Sequence, residues 1–151
     1  MSINWSDPKA KISKHFTAGE ALFLSKWNCY HSPSEEEKTT ILKHAEAMDR
    51  VREELGVPCV VHCWIRPKVL NCPSSPHHGE DYNAACRGAK SSRHIKGDAT
   101  DYHPVGMTCD EARAKLESKL EILEMRMEKA PGTNWVHNDS GPVISTRYFN
   151  P

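Results

Sequence analysis

Three segments of the chain carry apolar residues at helical spacing, and each follows a serine or threonine that stands three residues before a glutamate. This is the spacing of a capping box, in which the two side chains bond backbone amides of the first helical turn. The three pairs are Thr17 with Glu20, Ser32 with Glu35, and Thr108 with Glu111. The pattern predicts helices over 17–26, from 32 to the stop at Gly56, and over 108–130.

Four other segments are rich in β-branched and apolar residues and predict strands. They span 58–65, 97–102, 134–138 and 143–149. The first is predicted to be buried, and the last two are predicted to be joined by a turn at Ser140-Gly141. Residues 71–90 contain several proline, serine and glycine residues and predict a loop. Helices and strands alternate without the even spacing of βαβ units, so we expect an α+β domain.

Length and charge limit the function classes that remain. A chain of 151 residues is long enough for one domain with one core, so we expect a single domain over 1–151. The formal net charge is zero and the basic residues are scattered, which argues against a nucleic-acid partner and against an anionic membrane surface. The first residues contain no apolar segment typical of a signal peptide. We expect a monomer that is synthesised in the cytoplasm.

The six cysteines do not form the pattern of a structural zinc site, because no two of them have the CxxC spacing. They occupy positions 29, 59, 63, 72, 86 and 109. We expect reduced thiols, with Cys59 and Cys63 acting as small core residues on the predicted strand 58–65.

His94 and Asp101 are a candidate pair of metal ligands. They lie seven residues apart across Gly97, which allows a tight turn between a loop and the strand that follows. Imidazole nitrogen and carboxylate oxygen are both zinc ligands, but a catalytic zinc site has three protein ligands and an open position. The pair therefore needs a third residue from elsewhere in the chain.

His137 is the best candidate for that third ligand. In an extended segment, Trp135, His137 and Asp139 share one face, which puts a carboxylate beside the histidine. The alternative from spacing alone is that His137 packs in the core and Asp139 opens a turn. The spacing leaves both interpretations open.

The string S-x-H-x-x-G-x-A-x-D at 92–101, followed by the Trp135-Val136-His137 segment, resembles the zinc D-alanyl-D-alanine peptidase family. That family includes cell-wall carboxypeptidases, dipeptidases, phage endolysins and murein endopeptidases, and the hedgehog signalling domain shares its fold. The resemblance extends to five further segments of the chain. They are His15-Phe16-Thr17, Leu55-Gly56-Val57-Pro58, Trp64-Ile65-Arg66, Tyr82-Asn83 and Gly88-Ala89-Lys90.

The resemblance implies a central, mostly antiparallel sheet with helices packed on it, and a site that cleaves peptidoglycan peptides. It implies that Zn²⁺ is the cofactor and that Arg66 stabilises oxyanion charge on the scissile carbonyl. The zinc ligands would be His94, Asp101 and His137. The residues that contact the substrate would be Ser92, Asn83 and Trp135.

One position departs from the family's pattern. The carboxypeptidase and dipeptidase branches have an acidic base three residues before the last histidine, where this chain has Asn134. An amide does not accept a proton at this step. The segment 134–143 resembles the murein-endopeptidase branch instead, which has an aspartate two residues after the histidine. This resemblance assigns the catalytic base to Asp139.

The segment 72–81 is a second departure, since it is inserted between Arg66 and Tyr82 and contains His77 and His78. It is either a solvated surface loop or a rim of the cleft that selects the substrate.

Three functions remain from the sequence. The first is a zinc peptidase that acts on the bacterial cell wall after release from the cell, as a phage or prophage product does. The second is a binding module on the same scaffold that does not turn over substrate. The third is a zinc-stabilised domain without a substrate.

Overall fold

The structure is a computed structural model that describes residues 2–151. Helices and strands alternate irregularly, and the predicted α+β class is confirmed. The helices are α1 (Ala18–Leu22), α2 (Glu35–Leu55), α3 (Tyr82–Ala85), α4 (Cys109–Glu117) and α5 (Leu120–Leu123), with a 3₁₀ turn at Arg93–Ile95. The strands are β1 (Phe23–Leu24), β2 (Cys29–Tyr30), β3 (Cys59–Cys63), β4 (Ala99–Pro104), β5 (Arg126–Glu128), β6 (Val136–Asp139) and β7 (Tyr148–Phe149).

The larger of two sheets has five strands in the order β3-β4-β6-β5-β7. All its neighbours are antiparallel except β5 and β7, which run parallel. Its register pairs Asp101 on β4 directly with His137 on β6. Directly opposite residues of an antiparallel pair project from the same face, so two of the predicted metal ligands begin side by side. The second sheet is the β1-β2 hairpin.

The ends of α1 and α2 agree with the sequence prediction in part. The Thr17–Glu20 capping box forms as predicted, but α1 ends at Leu22 because Phe23 is already extended and leads into β1. The predicted helix over 17–26 was therefore too long. The predicted cap of α2 was wrong by two residues, because the capping box that forms joins Ser34 and Glu37. The predicted stop at Gly56 is confirmed, with a left-handed φ of 73°.

The predicted helix over 108–130 was wrong in its second half. The structure ends α4 at Glu117, adds the single turn α5, and reverses the chain at Glu124, whose φ is 55°. Met127 then lies in strand β5 and is fully buried. The apolar residues keep helical spacing across the break because each still reaches the same core.

Two predictions about strands were also wrong. β3 is not buried on both faces but is the edge of the sheet, and Val60 is 43% exposed. β6 and β7 do not form a hairpin, because β5 lies between them. The Ser140-Gly141 segment therefore leads away from the sheet rather than turning directly into a neighbouring strand.

The buried apolar residues form one cluster that extends from Ile12 to Val136. Trp64 lies within it and donates its indole N–H to the Gly97 carbonyl at 2.7 Å. From α2, His44 reaches Thr100 on β4 at 2.9 Å. Side chains alternate along a strand, so Asp101 projects from the face opposite Thr100. Among residues 2–151, no helix is long and apolar enough to cross a membrane.

Candidate functional site

The three predicted metal ligands form a continuous row. His94 comes from the 3₁₀ turn, and its Nε2 lies 3.2 Å from Oδ2 of Asp101. The other carboxylate oxygen of Asp101, Oδ1, lies 2.8 Å from Nδ1 of His137 on β6. The sheet register and the tight turn at Gly97, with φ of 86°, bring the three side chains together. The structure therefore places them as one cluster.

His94 presents a lone pair to this cluster. Its Nδ1 lies 2.6 Å from the Trp64 carbonyl, which accepts hydrogen bonds only, so Nδ1 carries the ring proton. The neutral ring then has an unprotonated Nε2, and this atom is buried without a hydrogen-bond partner. A lone pair at Nε2 would face Oδ2 of Asp101 at 3.2 Å, which is unfavourable unless a metal ion or a second ring proton lies between them. The arrangement fits a metal ion.

His137 lies between two carboxylates. Its Nε2 is 2.8 Å from Oδ2 of Asp139, and its Nδ1 faces Asp101. Burial lowers the pKa of His137, but the hydrogen bonds to Asp101 and Asp139 outweigh burial and raise the pKa to about 9. Without a metal, His137 is therefore an imidazolium at neutral pH.

Asp139, the predicted catalytic base, is fully engaged by other groups. Besides His137, it accepts hydrogen bonds from Arg126 Nε at 2.7 Å, from Arg126 Nη2 at 3.1 Å and from the Gly141 amide at 3.0 Å. Burial raises the pKa of Asp139, but these partners outweigh burial and hold the pKa well below its usual range. Both oxygens of the predicted base are therefore occupied by His137, Arg126 and the Gly141 amide.

A second set of three residues, which includes Cys63, has ligand atoms close enough together to share one metal ion. One ligand atom each of Cys63, His94 and Asp101 lie within 4.8 Å of one another, so these residues could hold a metal ion. His137 lies outside this grouping, although it contacts Asp101. The sequence analysis treated Cys63 only as a small residue of the strand. No local spacing indicates its role, because the fold alone brings β3 beside β4.

The row opens into a cleft of about 440 Å³, a volume within the range of ligand pockets. Four predicted functional residues besides the row line this cleft: Arg66, Ser92, Trp135 and Asp139. Asn83 does not line it. Asn83 is only 3% exposed, and its side-chain amide donates to the Ala89 carbonyl at 3.1 Å. The side chain of Asn83 supports the loop behind the cleft, and its substrate contact stays a prediction.

Arg66 is the cation of the cleft that lacks an ion pair among residues 2–151. Arg93 pairs with Asp98, and Arg126 pairs with Asp139. Arg66 instead donates from Nη2 to the Ser92 hydroxyl at 2.9 Å, and its Nε is buried without a partner. Its charge is available to a bound group.

Glu128 is a residue of the cleft that the sequence analysis missed. It lies on β5 two residues after Arg126 and lines the same cleft. Within the described part of the chain, its carboxylate makes no hydrogen bond or ion pair, unlike that of Asp139. The predicted helix over 108–130 included Glu128 and so concealed its place on a strand of the sheet.

The inserted segment 72–81 does not reach the cleft, since none of its residues is among those that line it. His77 stacks on Trp27 with 4.3 Å between ring centroids and lies 3.2 Å from Glu80. His78 accepts from the Cys72 amide. The structure favours a surface loop that packs on the β1-β2 hairpin over a rim of the cleft.

Comparison of the chain with protein-family models, with curated proteins and with solved structures gave no match.

Proposed function

We propose that the chain is a zinc-dependent peptidase that hydrolyses peptide bonds of bacterial peptidoglycan, in stem peptides or cross-links. The observation that carries the proposal is the buried, unpartnered Nε2 of His94, which faces Asp101 at the inner end of an open cleft. A buried imidazole nitrogen that makes no hydrogen bond and lies 3.2 Å from a carboxylate oxygen is typical of a metal ligand.

The donor set suits zinc. His94 and His137 supply nitrogens and Asp101 supplies oxygen, which is a set of three protein ligands of the kinds that catalytic zinc sites use. Each histidine also has its second ring nitrogen held in place, by the Trp64 carbonyl for His94 and by Asp139 for His137. Such partners fix the ring orientation of zinc-bound histidines. A bound zinc ion would lower the pKa of water and polarise the scissile carbonyl.

The remaining roles fall to residues of the cleft. Arg66 is held by Ser92 and has free N–H donors, so it stabilises the negative charge that develops on the scissile carbonyl. Glu128 is the unengaged carboxylate of the cleft, and we assign it the transfer of the proton to the leaving amine. Asp139 keeps His137 oriented. Trp135 is 37% exposed and offers an apolar surface to the peptide.

The substrate class rests on the sequence resemblance to zinc D-alanyl-D-alanine peptidases. The same resemblance supports a fold of the hedgehog and D-alanyl-D-alanine peptidase type, action on the wall after release, and a phage or prophage origin. Arg66 adds a physical argument, because an unpaired guanidinium beside the metal row suits a peptide that carries a carboxylate.

A non-catalytic binding module is the second candidate. It is favoured by Asn134 at the position where other members have an acid, and by the engagement of Asp139 with Arg126. Such a module would bind the same peptides through the same cleft.

Purified protein loaded with Zn²⁺ and incubated with purified peptidoglycan distinguishes the two candidates. The peptidase releases new amino groups, and chelation or His94→Ala abolishes the release. Glu128→Gln reduces the rate while zinc content stays at one per chain. His15→Ala is a matched control, because His15 contacts Glu53 at the surface, away from the cleft. Zinc binding without release of amino groups from any peptidoglycan would overturn the peptidase and favour the binding module.

A further inference from the structure

Cys63 is the last residue of β3, and the sheet register pairs it with Asp101 on β4. Directly paired residues on antiparallel strands share a face, so the thiol projects toward the cluster rather than toward the core. The β3 ladder shifts register between Val61 and Cys63. Irregularities of this kind redirect side chains and are frequent beside active sites.

The thiol lies beside two of the residues that would hold the metal. One ligand atom each of Cys63, His94 and Asp101 lie within 4.8 Å of one another, and Sγ is also 3.9 Å from Nδ1 of His94, the ring nitrogen that faces the Trp64 carbonyl. His94 Nε2 is an independent indication of a ligand here, because it is a buried atom without a partner on a side chain that is 2% exposed. β3, β4 and the 3₁₀ turn therefore each bring one possible ligand atom to the same small region.

We propose that Cys63 is a fourth ligand, whose sulfur bonds to the metal held by His94, Asp101 and His137 and fills the position that a catalytic zinc site keeps open. This inference rests on the metal of the proposed function. As the metal–sulfur bond forms, the thiol releases its proton to solvent, and the metal keeps its oxidation state. Four protein ligands make a closed site of the structural kind.

The closed site is a resting state of the protein. Substrate would reach the metal only after the metal–sulfur bond broke and the sulfur took a proton from solvent. A thiolate also makes the site softer, which favours Zn²⁺ and Co²⁺ over Mg²⁺ and Ca²⁺.

Cobalt spectroscopy tests the proposal on the full chain. Co²⁺ bound by a thiolate gives an intense charge-transfer band in the near ultraviolet, whereas nitrogen and oxygen ligands give only weaker visible d–d bands. We expect the wild type to show both. Cys63→Ala should lose the near-ultraviolet band and keep visible bands at one Co²⁺ per chain. Cys59→Ala is the matched control, because Cys59 lies on the same strand but pairs with Pro104, away from the row.

Alkylation followed by mass spectrometry gives a second readout that does not depend on catalysis. Zn²⁺ should protect the Cys63 thiol from iodoacetamide. Labelling of Cys72, a partly exposed free cysteine, should be the same with and without Zn²⁺. Visible cobalt bands without the near-ultraviolet band, or equal labelling of Cys63 with and without Zn²⁺, would overturn the role of Cys63 while leaving the metal of the proposed function in place. The absence of any stoichiometric Co²⁺ would overturn both.

Discussion

The substitution Asp139→Asn separates a positioning role of this residue from a catalytic one. The carboxylate is 1% exposed and holds two cationic partners, Arg126 and His137. An asparagine keeps the volume but has one acceptor oxygen and no charge. Arg126 donates to both oxygens of Asp139, so in the asparagine variant the side-chain N–H₂ would face one of the arginine N–H donors, which cannot accept a hydrogen bond. Both the ion pair and the orientation of His137 are weakened.

The size of the effect follows from burial. Removing one partner of a buried ion pair costs about 3–5 kcal/mol. Arg126 remains 13% exposed and lies over the Phe149 ring at 4.5 Å, so some of its charge stays compensated and the lower end applies. We expect a loss of about 3 kcal/mol of unfolding free energy, which lowers Tm by roughly 6–12 °C for a chain of this size.

Zinc affinity should fall by roughly 10- to 100-fold, as it does when the partner of a metal-bound histidine is removed. Competition with a chromophoric chelator measures the affinity, and thermal unfolding of the metal-free protein measures stability. Asp98→Asn is the matched control, because Asp98 pairs with Arg93 at the cleft but does not contact His137. It should lower Tm and leave zinc affinity unchanged. If Asp139→Asn binds zinc like the wild type yet loses all hydrolysis, Asp139 is the base and the positioning argument is refuted.

Four further outcomes follow from the structure. Gly97→Ala should destabilise the fold more than Gly56→Ala in chemical denaturation, because both have positive φ but only at Gly97 does the added Cβ meet Ile41, at 2.8 Å. Burial lowers the pKa of His44 to about 3, so the folded state keeps His44 neutral, and its contribution to stability is present above about pH 6.5 and is lost as the pH falls toward 3. His44→Gln should therefore flatten the decline of unfolding free energy with falling pH by up to about 1.4 kcal/mol per pH unit, and an unchanged slope would contradict this. Arg66→Lys should lower kcat on muropeptides by roughly 100-fold with zinc content unchanged, because a lysine ammonium does not replace a guanidinium that bonds Ser92 and still has N–H donors for the substrate. An equal kcat would exclude the oxyanion role. Cys63→Ala should hydrolyse peptidoglycan faster than Cys59→Ala if the thiolate closes the resting site, and equal rates would show that it does not.

The local signals predicted the elements better than their connections. The Thr17 capping box and the Gly56 stop depend on neighbouring residues and form as predicted. β5 was missed because Met127 continues the apolar spacing of the preceding helical stripe. Burial in a sheet and burial under a helix both select an apolar residue, so the spacing does not distinguish them. The position of β5 between β6 and β7 depends on pairing between distant segments.

The candidate site divides in the same way. His94 and Asp101 were found because a short turn connects them, and the sheet register then brought His137 to Asp101. Cys63 and Glu128 were missed, since Cys63 comes beside His94 and Asp101, and Glu128 comes to the cleft, only through their places in the sheet. The structure places Asn83 behind the cleft, which a motif could not indicate because it does not show which way a side chain points.

The charges of the buried row explain how it is stable without a metal and why a metal changes the cleft. Asp101 and Asp139 bring two negative charges, and Arg126 brings one positive charge. With neutral imidazoles the row has a net charge of −1, and the proton of His137 brings it to zero. A divalent ion in place of that proton leaves the row at +1, beside the unpaired guanidinium of Arg66. A bond to the Cys63 thiolate returns the row to zero. If the proposed metal and thiolate are both bound, the thiolate would set the row at zero or +1, and the +1 state would be the one that attracts a carboxylate-bearing peptide and polarises its carbonyl.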